Sequence, residues 1–207
     1  MWWCKSYTVM VGGKEVMPVF ITSDTHFYHD NIIKYDNLPF ESSEQMNEKI
    51  IESWNNVVGV NDEVWCLGDM FFCSKEKAKE IMNQLNGHKK LVYGNHDNHG
   101  IQWFLDVGFE DVSKHPITID GYVHLQHYPP EYTPENTPEI WLYGHVHNSP
   151  DYLTINVNTA CVCCSRWNFA PVKLSSIIAG IQKYRDIRST VSMPDKQIAK
   201  QIMMGVL

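Results

Sequence analysis

Five short motifs in this sequence carry side chains that bind divalent metal ions. They are Asp24-Thr25-His26, Gly68-Asp69, Gly94-Asn95-His96-Asp97, His127 and Gly144-His145-Val146-His147. Carboxylate, amide oxygen and imidazole groups together suit Mn, Fe, Co, Ni and Zn. Only Asp24 and Asp69 are carboxylates among the candidate ligands, so a pair of dications would keep positive charge for a phosphoryl group. The motifs therefore predict a two-metal site that acts on phosphoesters.

Apolar runs precede four of these motifs and are typical of buried strands. The runs cover residues 19–21, 64–67, 91–93 and 140–143. Open α/β sheets bind ligands beyond the carboxyl ends of their strands, which is where these motifs would lie. Side chains two residues apart on a strand share a face, so Asp24 and His26 can reach the same ion. The glycine that precedes three of the motifs permits a sharp turn close to an ion.

The fourth motif is a single histidine in a segment that contains two. Residues 117–119 and 122–127 flank Asp120-Gly121, a pattern that predicts a β-hairpin. His124 would lie in the middle of the second strand, on the face opposite to His127. His127 would lie at the strand end, like the other motifs, and we favour it as the ligand.

The ordered set of motifs, from about Phe20 to His147, resembles the calcineurin-like metallophosphoesterase superfamily. The amino-acid sequence of residues 24–33 is also similar to that of a branch of small bacterial and phage phosphoesterases whose substrate is unassigned. The resemblance implies an α/β (α+β) fold, a four-layered α/β/β/α sandwich of two mixed β-sheets flanked by helices. It also implies a dinuclear metal site at the carboxyl ends of the strands.

The resemblance further implies a role for each motif residue. One metal would be held by Asp24, His26 and His147, and the other by Asn95, His127 and His145, with Asp69 bridging the two. His96 would lie beside the metals as the catalytic acid that protonates the leaving oxygen or stabilises the phosphoryl group. Asp97 would support catalysis from behind the metal ligands.

The second motif departs from the protein Ser/Thr phosphatases. Those enzymes continue it with further Asp and Arg residues, whereas Asp69 is followed here by Met70-Phe71-Phe72. This loop supplies no arginine to grip phosphate and no carboxylate to orient His96. A phosphoprotein phosphatase is therefore disfavoured. The sequence does not identify the group that orients His96.

The expected reaction is attack on phosphorus by a hydroxide that the two metals activate, with His96 as the acid. We expect Mn²⁺, with Fe, Zn, Ni or Co as alternatives. No residue cluster suits a monoester dianion, which favours a phosphodiesterase or nucleotide phosphoesterase acting on small substrates. A phosphomonoesterase, a nuclease acting on short ends, and a non-catalytic binding scaffold are the alternatives.

Three further residues are candidate substrate contacts. His29 either contacts the substrate or caps the turn into residues 30–32. Tyr128 begins the proline-rich segment 128–139, which either selects the substrate, for example by stacking on a base, or is a solvent-exposed connection. Arg166 is a candidate phosphate contact because it is basic and close to a turn.

Composition and charge limit the classes of function. At 207 residues the chain suits a single domain, 1–207, and its net charge of −7 argues against binding long nucleic acid. No apolar run is long enough to span a membrane, and the start lacks a signal core, so we expect a cytoplasmic protein. The cysteines of Cys161-Val162-Cys163-Cys164 would be reduced and structural there, with a metal, redox or disulfide role as the alternative.

Several elements are predicted around the motifs. Ser42-x-x-Gln45 fits a capping box ahead of an amphipathic helix. A C-terminal helix over 194–206 would pack on the domain or on a partner, such as the second subunit of a homodimer. The other predictions are a hairpin about Gly12-Gly13 within 7–21, helices at 74–86, 100–107 and 174–187, and a strand at 154–158.

Overall fold

The computed structural model describes residues 9–11 and 14–206. Its strands are β1 (Val9–Val11), β2 (Lys14–Val16), β3 (Val19–Thr22), β4 (Glu63–Cys66), β5 (His88–Val92), β6 (Asp111–Ser113), β7 (Ile117–Ile119), β8 (Val123–Leu125), β9 (Ile140–Tyr143), β10 (Thr159–Cys161) and β11 (Val172–Lys173). Its helices are α1 (Asp30–Tyr35), α2 (Ser43–Val57), α3 (Lys75–Met82), α4 (Ile101–Val107), α5 (Leu174–Thr190) and α6 (Asp195–Val206).

The larger sheet brings the first three motifs to one edge. Its five strands follow the order β11-β3-β4-β5-β6, in which β3 to β6 are parallel and β11 is antiparallel. Thr22 pairs with Cys66, and Cys66 pairs with Leu91, so the carboxyl ends of three strands lie level. The loops after β3, β4 and β5 therefore meet where parallel sheets bind ligands.

The smaller sheet brings the last two motifs to the same region. Its order is β10-β9-β8-β7, with the predicted hairpin β7–β8 antiparallel and the other pairs parallel. Leu125 pairs with Leu142, so His127 and His145 follow aligned strand ends. The other face of this sheet carries His124 and Trp141, whose rings stack at 4.8 Å.

Two apolar cores hold these sheets in place. Between the sheets lie fully buried side chains such as Ile21, Leu67, Leu125 and Leu142. A second core packs the opposite face of the larger sheet against α2, α3 and α4. Burying one such side chain contributes about 1.5–3 kcal/mol, so the cores fix the strand ends from which the motifs project.

The helices flank the two sheets. Ser42 caps α2 by accepting a hydrogen bond from the Gln45 N–H, as the capping box predicts. Helix α5 contacts β11, β3 and β10, which are strands of both sheets. Helix α6 packs on α5 and buries Ile198 and Ile202, so the C-terminal helix packs on its own domain. A mixed α/β fold of two mixed sheets flanked by helices is thus confirmed, whereas the four-layered order stays a prediction.

Two predicted elements differ from the structure. The strand at 154–158 is wrong, because Ile155 forms only an isolated bridge and the strand is β10. The Asn156 side chain accepts from the Val157 N–H, a local bond of the kind that competes with a strand ladder. The Asn158 side chain donates instead to the Pro134 carbonyl, 24 positions away. Helix α3 ends at Met82, before the predicted end at residue 86.

The N-terminal hairpin forms a separate sheet of β1 and β2 in antiparallel register. Gly12 and Gly13, about which it was predicted to turn, lie outside the described residues. Within residues 9–11 and 14–206, no helix combines the length and apolar character needed to cross a membrane.

Candidate metal centre

Five of the predicted metal ligands have left-handed backbone conformations. They are Asp24 (φ 54°), His26 (φ 48°), Asp69 (φ 56°), His145 (φ 68°) and His147 (φ 44°). This conformation is uncommon outside glycine and costs about 1–2 kcal/mol per residue. Such strain clusters at functional sites because the surrounding fold holds it in place. The turns direct these side chains towards one another across the strand ends.

The first ligand group consists of Asp24, His26 and His147. The Asp24 Oδ1 atom lies 3.4 Å from His147 Nε2 and 3.8 Å from His26 Nε2. The two Nε2 atoms are 3.2 Å apart. Asp24 Oδ1 is buried and has no hydrogen-bond partner among the residues that the structure describes. Because an unpaired buried carboxylate oxygen is costly, a cation coordinated here would satisfy it.

Asp36 sets the orientation of His147. The His147 Nδ1–H donates to Asp36 Oδ2 at 2.8 Å, which leaves the Nε2 lone pair directed at the first ligand group. A carboxylate behind an imidazole is a common feature of metal sites and raises the basicity of the ligand. Burial lowers the pKa of His147, but the carboxylates of Asp36 and Asp24 outweigh burial and raise it. Nothing in the sequence distinguishes Asp36 from any acidic residue at a helix end.

Replacing Asp36 by alanine is expected to weaken Mn²⁺ binding about 10–100-fold, the usual effect of removing such a partner. Asp36→Asn keeps an acceptor for the His147 Nδ1–H and is expected to lose less affinity. Isothermal titration of metal-stripped protein measures both variants. Equal affinity in Asp36→Ala and the unsubstituted chain would contradict this role.

The second ligand group is built around His127. Its Nδ1–H donates to the Leu67 carbonyl at 2.7 Å, which leaves Nε2 to face the other ligand atoms. That Nε2 lies 2.8 Å from Asn95 Oδ1 and 3.5 Å from Asp69 Oδ2. His145 Nδ1 lies 2.9 Å from the same Asn95 oxygen. Electron-pair donors that face one another in this way suit a bound cation.

The two groups share a carboxylate. Asp24, Asp69 and His127 offer ligand atoms within 4.8 Å of one another, so Asp24 belongs to both groups. Asp69 belongs only to the second of them. The role of Asp69 as the bridge therefore stays a prediction, and the geometry places Asp24 between the groups.

Two thiols of the cysteine cluster form hydrogen bonds with Asp24. Asp24 Oδ2 accepts from Ser23 Oγ, from the His145 N–H at 2.9 Å and from Cys163 Sγ at 3.2 Å. Cys164 Sγ donates to the Asp24 carbonyl at 3.2 Å. Burial alone would raise the pKa of Asp24, but the nearby imidazoles of His26, His127 and His147 hold it well below its usual range.

The five cysteines in the described part of the chain are free thiols, as the reduced-cysteine prediction requires. Cys161 and Cys163 lie side by side, with their sulfur atoms 3.4 Å apart. The cluster therefore positions the first motif through thiol hydrogen bonds. The sequence suggested a cluster but gave no sign of its contact with Asp24.

Asp97 bonds the backbone of two motifs from behind the predicted ligands, and its supporting role in catalysis stays a prediction. Its Oδ2 accepts from the Gly94 N–H at 2.7 Å and the Asp69 N–H at 2.9 Å, which ties the second motif to the third. Burial raises the pKa of Asp97, although these backbone groups oppose the shift. Asp69 Oδ1 in turn accepts from the His96 N–H at 2.8 Å.

Phe72 packs against the histidines beside the first ligand group. The His96 ring lies 5.1 Å from Phe72 and 6.0 Å from His26. His29 stacks on Phe72 at 3.9 Å, with 6° between the ring planes. An aromatic ring, rather than a polar side chain, thus borders His96 on the side of Phe72.

His29 lies in the site and does not cap α1. It begins the helix without a side-chain capping bond, and its Nδ1 lies 3.3 Å from His26 Nδ1. Burial, followed by the neighbouring imidazoles of His26, His96 and His147, lowers the pKa of His29 to about 4. His29 is therefore neutral at pH 7, and the capping alternative is wrong.

The two remaining candidate contacts differ in outcome. Tyr128 is 53% exposed, and its ring lies 4.6 Å from His145, at the mouth of the second ligand group. Arg166 donates instead to the carbonyls of His147, Ser149 and Tyr152, so it braces the loop after the last motif. Its predicted phosphate contact is wrong, because its guanidinium group is committed to this loop.

Comparison with solved structures indicates a shared fold. A protein of unknown function from Aquifex aeolicus, AQ665, superposes with a TM-score of 0.58 and 23% identity, over 85% of this chain and 100% of that chain. The nuclease MPE of Pseudomonas putida gives a TM-score of 0.43 and 18% identity, over 62% of this chain and 61% of that chain, too weak a likeness to establish a common fold.

Comparison of sequences finds two relatives, although no family model matches the chain. The Gene 66 protein of Mycobacterium phage L5 is 27% identical over 173 residues, which is 67% of this chain and 81% of that protein. The uncharacterized protein MJ1445 of Methanocaldococcus jannaschii is 32% identical over 183 residues, which is 83% of this chain and 95% of that protein. The chain therefore belongs to the same family as the archaeal protein MJ1445.

Proposed function

We propose that this chain is a metal-dependent phosphoester hydrolase of the calcineurin-like metallophosphoesterase type. The observation that carries the proposal is the convergence of electron-pair donors in the two ligand groups. Asp24 Oδ1 is buried without a hydrogen-bond partner in the described part of the chain, and the Nδ1 atoms of His127 and His147 are each held by a protein acceptor. These features support a built cation site, since a structural polar cluster would pair its donors with acceptors.

The proposed ligands are those of the sequence motifs. Asp24, His26 and His147 would hold one divalent ion, Asn95, His127 and His145 would hold the other, and Asp69 would lie between them. Mn²⁺ is the proposed metal because a mixed oxygen and imidazole set suits it. Two such ions would lower the pKa of a bound water and take up charge that develops on the phosphoryl oxygens.

The chain's own residues would position the ester. His96 lies beside the first ligand group and would donate a proton to the leaving oxygen. Its backbone N–H is bonded to Asp69, so the position of the acid is tied to that of a proposed ligand. Tyr128 would cover the other side of the site. We propose a phosphodiester or nucleotide of small size as the substrate, and hydrolysis of a phosphomonoester is the alternative.

The test is an assay of metal-stripped protein with Mn²⁺ restored. The substrates are bis(p-nitrophenyl) phosphate, p-nitrophenyl phosphate, cyclic nucleotides and single-stranded DNA. We expect turnover that depends on metal, with the aryl diester hydrolysed faster than the aryl monoester. A folded protein that binds Mn²⁺ and turns over none of these substrates would favour a binding scaffold and overturn the proposal.

The two histidines of one segment give a matched pair of variants for this assay. His127→Ala is expected to lower kcat/KM about a thousandfold, because loss of a ligand removes several kcal/mol of charge stabilisation. His124→Ala is expected to leave kcat/KM within about twofold. The reason is that His124 stacks on Trp141, on the opposite face of the sheet. Equal losses in the two variants would indicate that β8 is merely destabilised.

A further inference from the structure

A cleft of about 680 Å³ opens beside the first ligand group. His26 and His147 line it on the side of the proposed metals, and His96 lies at the same end. The cleft extends away from them along α1 and the loop after the last motif. It is therefore placed to receive a group attached to a phosphoryl centre.

Flat rings form one wall of this cleft. His29 and Phe72 stack at 3.9 Å, almost parallel, and both line the cleft. Tyr35 lies edge-on to His29 at 6.5 Å, lines the cleft and is 74% exposed, so most of its ring is accessible to a ligand. Val146 and Pro150 add apolar surface from the loop after the last motif. Such a lining suits a planar apolar group.

The charge of the lining argues against an anionic group. No lysine or arginine is among the described residues that line the cleft. Its one carboxylate, Asp36, is committed to His147. A second phosphate placed here would lose its water without gaining a cation, which is costly. The amides of Asn37 and Asn148 supply neutral polar groups instead.

We propose that this cleft binds a flat, uncharged ring of the phosphoester substrate, either an aryl group or a nucleobase. The inference rests on the proposed function, because the ring is placed by a phosphoryl group at the metals. The lining of the cleft does not include Tyr128, which borders the second ligand group. Polyphosphates and anionic sugar phosphates are disfavoured by the same lining.

The test measures binding of non-hydrolysable phosphonates to Mn²⁺-loaded protein by isothermal titration. Methylphosphonate, phenylphosphonate and 3-phosphonopropionate share a phosphonate head and differ in the attached group. Phenylphosphonate is expected to bind about tenfold more tightly than methylphosphonate, the effect of one aromatic stacking contact. The negatively charged 3-phosphonopropionate is expected to bind no better than methylphosphonate.

Variants at Tyr35 assign this preference to the cleft. Tyr35→Ala is expected to reduce the tenfold advantage of the phenyl group to about threefold or less, and Tyr35→Arg to favour 3-phosphonopropionate. Val60→Ala is the control for loss of an exposed apolar side chain, because Val60 is 69% exposed, precedes β4 at the amino ends of the strands and is not part of the cleft lining. It is expected to bind all three compounds as the unsubstituted chain does.

The outcomes separate the cleft from the proposed function. If methylphosphonate binds in a metal-dependent way and phenylphosphonate binds no more tightly, the proposal for the cleft is wrong and the proposed phosphoryl site is unaffected. A phenyl advantage that survives Tyr35→Ala unchanged would also overturn the proposal for the cleft. Failure of all three compounds to bind the loaded protein would overturn both proposals.

Discussion

Asp24→Asn is expected to lower turnover by about three orders of magnitude or more and to weaken binding of both ions. Asp24 belongs to both ligand groups, and its buried Oδ1 receives no hydrogen bond from the described residues. Asparagine keeps the size of the side chain but removes its negative charge, and a neutral amide is the weaker ligand for a dication. Metal content and titration of the stripped protein give readouts that do not depend on turnover.

Asp120→Asn is the matched control for this substitution. Asp120 has φ 51°, close to the 54° of Asp24, but lies exposed in the β7–β8 turn. Asparagine tolerates this conformation, so any loss that is specific to Asp24 cannot come from the backbone. An Asp24→Asn protein that retains two ions and full activity would show that the metals lie elsewhere.

Gly68→Ala is expected to destabilise the protein by about 3 kcal/mol or more, because it combines backbone strain with overpacking. Gly68 has φ +90°, and an added Cβ would lie 2.3 Å from the Gly94 nitrogen and 2.4 Å from its Cα. Both are main-chain atoms, which cannot rotate away as a side chain would. The clash would force apart the loops that carry Asp69 and Asn95. Thermal unfolding of the metal-free protein should show a fall of about 10 °C for a domain of this size.

Gly100→Ala controls for the general cost of the methyl group. A Cβ at Gly100 would meet nothing within 4 Å, and its φ of −70° suits alanine. Its melting temperature is expected to change by only about 2 °C. Comparable shifts in the two variants would refute the close contact between the second and third motifs.

The positions of the motifs were predictable because each depends on local pattern. An apolar run, a glycine and a polar residue specify a strand end, and parallel pairing then brings the ends together. The choice of His127 over His124 followed from the alternation of faces along one strand. The structure places both as expected, with His124 on Trp141 and His127 beside Asp69.

The partners of the ligands were not predictable, because they depend on contacts between distant segments. Asp36 bonds His147 across 111 positions of sequence, and Cys163 bonds Asp24 across 139. The predicted phosphate contact of Arg166 was wrong for the same reason. The sequence shows its positive charge but not the carbonyl groups to which its guanidinium group donates. Asp97 was predicted to lie behind the ligands, but the backbone N–H groups of Gly94 and Asp69 that it binds were not predicted.

The left-handed turns of the ligand residues limit how this centre can be redesigned. A new ligand at position 24, 26, 69, 145 or 147 must suit both the ion and a backbone conformation that few side chains accept. Asp, Asn and His are enriched there, whereas β-branched and bulky residues are not. Exchanges within that small set would be the ones to change the preferred metal while the loops keep their shape. Attempts to introduce other ligands would first have to rebuild the turns.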